Sequence, residues 1–395
     1  MKKISFSKDN VILYLYIFGL IVLDNGTFLM KIIKISLILW TIMSLCYRKR
    51  FYCDKYIVWN LIFLAFSGLS ILWSLYPSVT FAAIKTSLLN TACVISIFQL
   101  CNKRDNLNIV FQTIRVIPYF SIIFFIRVIC QYGGIALSGV RQIDEAATSL
   151  HNSLGMFCAF SGVIAIFLAT MLKKNRIKYY IILIINFIIL LLSGSRKSLL
   201  YFIIPIIIFG IFNSKNPLKS FRNLILILGG MFLLNYLIMN NSVLYSSIGN
   251  GIETLVQGLL GNETDESTSG RLRIINWGIG IFKENKIYGI GLESFKMMHE
   301  SYFGNLAIAD NNYIELLVDL GIIGLLIYYS FHAYLVFVLT KQIKKKSRIV
   351  YILIGIEAAI LICDFGCSSY KNVFIQIVVM FVYIIYCKKI KKMEN

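Results

Sequence analysis

Apolar runs recur along the whole chain and are separated by short polar segments, as in residues 181–192, which contain no charged residue. A helix needs roughly 20 residues to cross a hydrocarbon core, and we count about twelve runs of suitable length. A barrel would show short alternating segments instead, and an open sheet cannot satisfy its backbone groups in lipid. The pattern therefore predicts an all-α integral membrane protein with about 12 transmembrane helices.

Composition supports this prediction. Of the 395 residues, 58% are hydrophobic and 15% are charged, which leaves too little polar surface for a water-soluble globule. The net charge of +20 is compatible with nucleic-acid binding, but the basic residues fall in short clusters between apolar runs. We interpret these clusters as topology signals and predict a single polytopic membrane domain over residues 1–395.

The basic clusters predict an orientation, because Lys and Arg prefer cytoplasmic loops. Assigning alternate connections to the two sides puts both termini and most basic clusters on the cytoplasmic side: residues 2–8, 48–55, 103–104, 173–178, 215–222, 341–348 and 388–392. The opposite side receives residues 131–150 and a large loop, residues 241–310. Long loops usually carry function, so we expect the site on that side.

Three arginines on the predicted outer side are candidates for binding phosphate. Arg196 follows Ser-Gly-Ser at the outer end of one apolar run, and Arg271 and Arg273 begin a partly amphipathic segment, residues 271–282. Arginine binds phosphate oxygens bidentately and stays charged beside lipid. A snorkelling interfacial cation at Arg196 and a solvated basic turn at Arg271 are the structural alternatives. The segment itself predicts a helix on the membrane surface, with an ordinary loop helix as the alternative.

A polar string at the end of the large loop, residues 309–315, offers groups for sugar chemistry. Asp310 is the candidate general base, because an acceptor hydroxyl must lose its proton during glycosyl transfer. A carboxylate that caps the following helix is the alternative. Asn311 and Tyr313 are candidates for orienting a sugar hydroxyl. Glu315 lies one turn further into the apolar run, where an ionisable residue indicates either function or a basic partner.

Further candidates for substrate binding are Arg141, His151 and Lys197, although a loop-edge histidine is more often structural. The chain has no P-loop, no HExxH helix and no Cys/His set at metal-ligand spacing. We therefore expect no cofactor and no metal.

Several strings of residues resemble the bacterial O-antigen ligase and polymerase superfamily, in the order in which the family has them. The strings are Leu-Ser-Ile-Leu-Trp-Ser (69–74) with Pro77, His151-Asn152-x-x-Gly155, Ser-x-Ser-Arg (193–196), Arg271 with Trp277, Gly289-Ile290-Gly291 with Phe295, and Asn311-Asn312-Tyr313 with Glu315, Gly321 and Gly324. Together they extend over residues 69–324.

The resemblance implies a glycosyltransferase C-like, metal-independent membrane enzyme with polyprenyl-diphosphate-linked oligosaccharides as its substrates. Carried over by position, the catalytic residues are Arg196, Arg271 and Asp310, with the arginines gripping diphosphate. The resemblance also implies the cytoplasmic (inner) membrane of a bacterium, with a chain-length regulator and a flippase as partners.

One departure bears on the reaction. Ligases of this superfamily typically carry histidine immediately before the Asn of the closing string, and this chain has Asp310 there. This favours a repeat-unit polymerase of O-antigen or capsule. An O-antigen ligase that transfers polymer to a final acceptor is the first alternative, and a transporter or flippase of the lipid-linked oligosaccharide is the second.

Overall fold

A computed structural model describes residues 8–23, 26–102, 107–134, 148–172, 176–213, 217–250, 252–253, 257, 266–304, 309–345 and 347–390. These residues form helices and connecting turns, without a strand, so the all-α prediction is confirmed. The helices of ten or more residues in this part of the chain are α1 (Lys8–Val22), α2 (Phe28–Arg48), α3 (Lys55–Leu69), α4 (Pro77–Cys101), α5 (Asn108–Tyr132), α6 (Thr148–Met171), α7 (Arg176–Ser193), α8 (Arg196–Phe212), α9 (Pro217–Asn240), α10 (Glu266–Glu284), α11 (Ser294–Phe303), α12 (Asn312–Lys341), α13 (Arg348–Cys363) and α14 (Val373–Ile385).

Eight of the described helices are long and apolar enough to cross a membrane: α2, α3, α4, α5, α6, α7, α9 and α12. Four shorter apolar helices, α1, α8, α13 and α14, occupy positions where the sequence predicts further spans. Among the described residues of the predicted large loop, two helices have ten or more residues, α10 and α11. The protein is therefore a multi-pass membrane protein.

The chain forms two compact units. The first unit contains residues 1–33, 107–264 and 339–359, and the second contains residues 34–106, 265–338 and 360–395. Each unit is assembled from segments that are far apart in sequence.

In the first unit, α6 packs against α5, α7 and α8. Buried polar side chains join three of these helices: the Ser121 hydroxyl lies 2.6 Å from Asn186 Oδ1 and 2.9 Å from the Ser161 hydroxyl. Polar groups buried among membrane helices need partners, and such contacts hold helices together in lipid.

In the second unit, aromatic side chains of α3 pack against α12 and α14. Trp59 stacks on Phe331 at 4.9 Å, and its indole N–H donates to the Tyr328 carbonyl at 3.0 Å. The Tyr56 hydroxyl donates to the Gln376 carbonyl at 2.8 Å. These contacts tie α3 to both helices.

Candidate active site

Helix α12 is broken at Gly321, whose backbone has φ 66° and ψ −170°. Essentially only glycine adopts this conformation. The break leaves backbone groups of the helix without helical partners, and the loop of residues 286–291 forms hydrogen bonds with them. The Ile322 N–H donates to the Lys286 carbonyl at 2.9 Å, and the Ile323 N–H lies 3.4 Å from the Ile287 carbonyl.

The same loop segment also satisfies the carbonyls on the other side of the break. The Ile290 N–H donates to the Val318 carbonyl at 2.9 Å, and the Gly291 N–H donates to the Asp319 carbonyl at 2.8 Å. A Cβ at Gly289 would lie 2.5 Å from the Asp319 carbonyl. The Gly-x-Gly string is therefore required for this close backbone approach.

The turn after α3, which carries the Leu-Trp-Ser string with Pro77, packs on this loop. The Trp73 indole N–H donates to the Tyr288 carbonyl at 3.0 Å, and the Ser74 hydroxyl lies 3.0 Å from the Ser294 hydroxyl. A Cβ at Gly291 would lie 2.4 Å from Ser74 Oγ, so a side chain there would displace the turn. The structure thus brings together strings that are more than 200 residues apart.

Asp319 was not among the predicted site residues, and its side chain anchors this loop. Its carboxylate accepts the N–H groups of Glu293 and Phe295, each at 2.9 Å, at the start of α11. The Tyr370 hydroxyl lies 3.4 Å from the same carboxylate. The signal in the sequence was an acidic residue inside an apolar run, which indicates function or a partner.

Glu315 is 1% exposed and has a basic partner, one of the two alternatives for it. Lys371 Nζ lies 2.9 Å from the Glu315 carboxylate and 2.8 Å from that of Glu293, and the Ser368 hydroxyl donates to Glu315 at 2.6 Å. Burial by itself lowers the pKa of the Lys371 ammonium, but the Tyr370 phenol and the neighbouring carboxylates outweigh it and hold the pKa well above its usual value. Lys371 is therefore the charged centre of a buried polar cluster.

Arg271 and Asp310, two of the predicted catalytic residues, lie together. Arg271 Nη2 is 3.3 Å from Asp310 Oδ2, and the two side chains are 44% and 23% exposed. Asp310 has a left-handed backbone with φ 49°, which Asp tolerates better than most residues. The preceding residue, Ala309, is buried, so the turn directs Asp310 out of a packed segment.

Helix α10, which carries Arg271, turns its apolar side to protein. Trp277 stacks on Phe295 with ring centroids 5.2 Å apart, and a Cβ at Gly278 would lie 2.9 Å from Ile314. The predicted amphipathic segment is thus part of a helix packed against α11 and α12. Its place on the membrane surface stays a prediction. The packing holds Arg271 at the start of α12.

The other candidates of the closing string have partners in the protein. Asn311 caps α12 by accepting the Ile314 N–H at 3.1 Å. The Tyr313 hydroxyl donates to the Leu361 carbonyl at 2.9 Å. Roles of Asn311 and Tyr313 in orienting a sugar stay predictions, and so does that of the exposed Arg273.

In the first unit, Arg196 is the first residue of α8 and follows a turn in which Gly194 has φ 70°. The Ser195 hydroxyl donates to Asn152 Oδ1 at 2.9 Å. Gly155 lies against the same turn, since a Cβ there would be 2.7 Å from the hydroxyls of Ser193 and Ser198. The His-Asn string and the Ser-x-Ser-Arg string are therefore in contact here. Arg196 is half-buried at the start of α8, where backbone N–H groups favour an anion.

Lys197 and His151 are half-buried and belong to the same unit as Arg196. Arg141 lies outside the described residues. Because Arg196 and Arg271 belong to different units, their joint grip on one diphosphate stays a prediction.

Residues 181–329 match the family model described as O-antigen ligase. This match over part of the chain supports the O-antigen ligase and polymerase superfamily. The matched segment of this superfamily contains Arg196, Arg271 and Asp310. No curated protein matches the sequence.

The match supports a glycosyltransferase-like membrane enzyme of the ligase or polymerase type. It also implies lipid-linked oligosaccharides as substrates. The transporter alternative has no support from the match.

Proposed function

We propose that the protein polymerises polyprenyl-diphosphate-linked oligosaccharide repeat units into O-antigen or capsule on the outer face of the cytoplasmic membrane, with both termini cytoplasmic. The observation that carries the proposal is the Arg271–Asp310 ion pair at the start of α12. It sets a cation suited to phosphate beside a carboxylate suited to accepting a proton.

The proposed reaction is a metal-independent, inverting displacement at the anomeric carbon. The acceptor hydroxyl oxygen of a fresh repeat bonds to that carbon while the bond to the diphosphate oxygen breaks. Polyprenyl diphosphate leaves with the electron pair, and the hydroxyl proton passes to Asp310. Fixed guanidinium groups stabilise the charge that develops on the leaving diphosphate.

The ion pair suggests how substrate binding prepares the base. In the structure the Asp310 carboxylate has the Arg271 guanidinium as its partner. A diphosphate that engages Arg271 withdraws this guanidinium, so the carboxylate becomes available to accept a proton. Arg196 binds phosphate oxygens at the start of α8 in the same proposal, where the helix N-terminus adds to the attraction.

The ligase reaction is the second candidate, because the matching family model is described as O-antigen ligase. A ligase would use the same donor and would differ in the acceptor. The presence of Asp310, where ligases typically carry histidine, favours the polymerase.

The experiment that tests the proposal deletes the gene, restores it as wild type or Arg196→Ala, and resolves surface polysaccharide and polyprenyl-linked intermediates by size. We expect the long ladder to disappear and single lipid-linked repeats to accumulate, with Arg196→Lys retaining part of the ladder as a monodentate cation. Long polymer retained on polyprenyl diphosphate would indicate the ligase instead. An unchanged ladder with unchanged intermediates would exclude both reactions.

Asp310→Asn tests the proposed base separately. Loss of a general base typically lowers a rate by about 10²–10⁴-fold, so we expect a shortened or absent ladder. The fold should persist, because an exposed ion pair contributes only about 0–1 kcal/mol. Glu284→Gln, at the exposed end of α10, is the matched control. A full ladder from Asp310→Asn at normal expression would rule out this role.

A further inference from the structure

The second unit contains a cavity of about 390 Å³ that neither Arg196 nor the Arg271–Asp310 pair lines. Its walls come from α3, α4, the start of α11 and the segment that leads into α14. This volume accommodates one or two sugar rings.

The wall from α4 is one face of the helix and changes character along its length. Val79 and Ala83 line the end nearest the α3–α4 turn, and Ser87 and Asn90 continue the same face further along the helix. These positions recur at intervals of three or four residues, which places them on one side. Polar residues within a membrane span face a protein interior or a cavity.

Two residues that line the cavity, Ser67 and Gln376, each have a buried polar atom without a partner in the described part of the chain. Neither Ser67 Oγ, in a residue 2% exposed, nor Gln376 Oε1 has a hydrogen-bond partner among the described residues. The Gln376 amide is held in place because its Nε2 donates to the Tyr370 carbonyl at 2.7 Å. Buried polar atoms are nearly always bonded in proteins, so two in one cavity indicate a hydrogen-bonding occupant.

The charges of the wall select among polar occupants. Lys296 and Lys371 both line the cavity, but Glu293 also lines it and pairs with Lys371 at 2.8 Å. Lys371 also pairs with Glu315, so the wall lacks the net positive charge that a phosphate requires. Mixed acceptors and donors beside apolar side chains suit a neutral molecule with many hydroxyls.

We propose that this cavity is a saccharide subsite that holds one or two sugar rings of the lipid-linked glycan. Sugar hydroxyls donate to Gln376 Oε1 and the Glu293 carboxylate, and Ser67 Oγ exchanges a hydrogen bond with another. The identity of the ligand rests on the proposed function, whereas the cavity and its unpartnered atoms do not. An apolar polyprenyl tail is the competing occupant.

Ser67→Ala distinguishes a saccharide from a polyprenyl tail, because only a saccharide would bond to the hydroxyl. The hydroxyl has no protein partner among the described residues, so its removal should not reduce stability. The probe is the repeat-unit oligosaccharide released by mild acid from the cells' polyprenyl-linked intermediates. We expect the purified full-length variant to unfold at the same or a higher temperature, and to need about tenfold more probe for half-maximal stabilisation. Ser330→Ala, an exposed serine of α12, is the control. An unchanged probe requirement would overturn the proposal.

Ala83→Leu fills the cavity, and Ala65→Leu adds the same atoms at an exposed position of α3 outside it. We expect Ala83→Leu to abolish probe binding and shorten the ladder, and Ala65→Leu to do neither. If Ala83→Leu shortens the ladder while Ser67→Ala leaves both ladder and probe binding intact, the occupant is the polyprenyl tail and the saccharide subsite is wrong.

Arg196→Ala keeps the two proposals apart. If it leaves the ladder intact while probe binding still depends on Ser67, the polymerase function fails and the saccharide subsite stands. If it removes the ladder while probe binding is indifferent to Ser67, the polymerase function stands and the subsite fails.

Discussion

Replacing Gly321 by alanine is expected to prevent stable folding of the second unit. The residue has φ 66° and ψ −170°, and a Cβ there would lie 2.2 Å from the Ile287 carbonyl oxygen. Neither the backbone conformation nor the contact tolerates a side chain, because the neighbour is backbone. Relief would require the loop to leave the break, which unmakes four backbone hydrogen bonds. We expect a loss of more than about 4 kcal/mol.

Thermal unfolding of the purified protein, followed with a thiol-reactive fluorophore, measures this loss, since Cys93 and Cys101 are buried in the second unit. Gly280→Ala is the matched control, because nothing lies within 4 Å of its Cβ position on α10. A helical Gly→Ala change in open space should be neutral or stabilise by roughly 0.5–1 kcal/mol. If Gly321→Ala unfolds at the same temperature as the wild-type protein, the break is not needed for the fold.

Lys371→Met is expected to be nearly as damaging. It would leave the buried carboxylate of Glu315 and that of Glu293 without their shared cation. Breaking a buried ion pair from one side typically costs about 3–5 kcal/mol, because the remaining charge is uncompensated. The same thermal assay should therefore show a large fall in unfolding temperature, with reduced yield from membranes.

A second substitution tests this cause. Lys371→Met combined with Glu315→Gln removes the uncompensated charge and should recover much of the lost stability, although Glu315→Gln alone is destabilising. Lys283→Met, at the exposed end of α10, controls for loss of a positive charge. Independent, additive effects of the two substitutions would show that the Lys371–Glu315 pair is not the source of the loss.

The pKa of Lys371 also defines the pH range of this contribution. Its pKa in the folded protein is raised above that of an unfolded lysine, about 10.4. The stabilisation is therefore fully present below that pH and is lost only as pH rises through the folded-state value. Across neutral pH, the difference between wild type and Lys371→Met should contain no titration of this ammonium.

Much of the fold and part of the candidate site follow from local pattern. Apolar runs of sufficient length can be satisfied in lipid only as helices, so the all-helical class was predictable. Arg271 and Asp310 were predictable as candidates because each belongs to a polar string on the predicted outer side. Their contact at 3.3 Å was not, since it depends on how α10 packs against α12.

The roles of Asp319 and Lys371 could not be predicted from the sequence. Each is a single charged residue whose role depends on a partner distant in the chain. The pattern of apolar residues along the sequence carries no information about such partners. Ser67 and Gln376 were unremarkable polar residues in apolar runs until the structure placed both on one cavity.

The sequence by itself determined that this protein is a helical membrane protein and which strings resemble the superfamily. These are properties of residues close together in the chain, decided by burial in lipid and backbone hydrogen bonding. Tertiary structure alone decided that α12 breaks at Gly321, that a Gly-x-Gly loop completes it, and that one lysine joins two carboxylates. The physical reason is that these features are close approaches between distant segments, and their geometry exists only once the helices have packed.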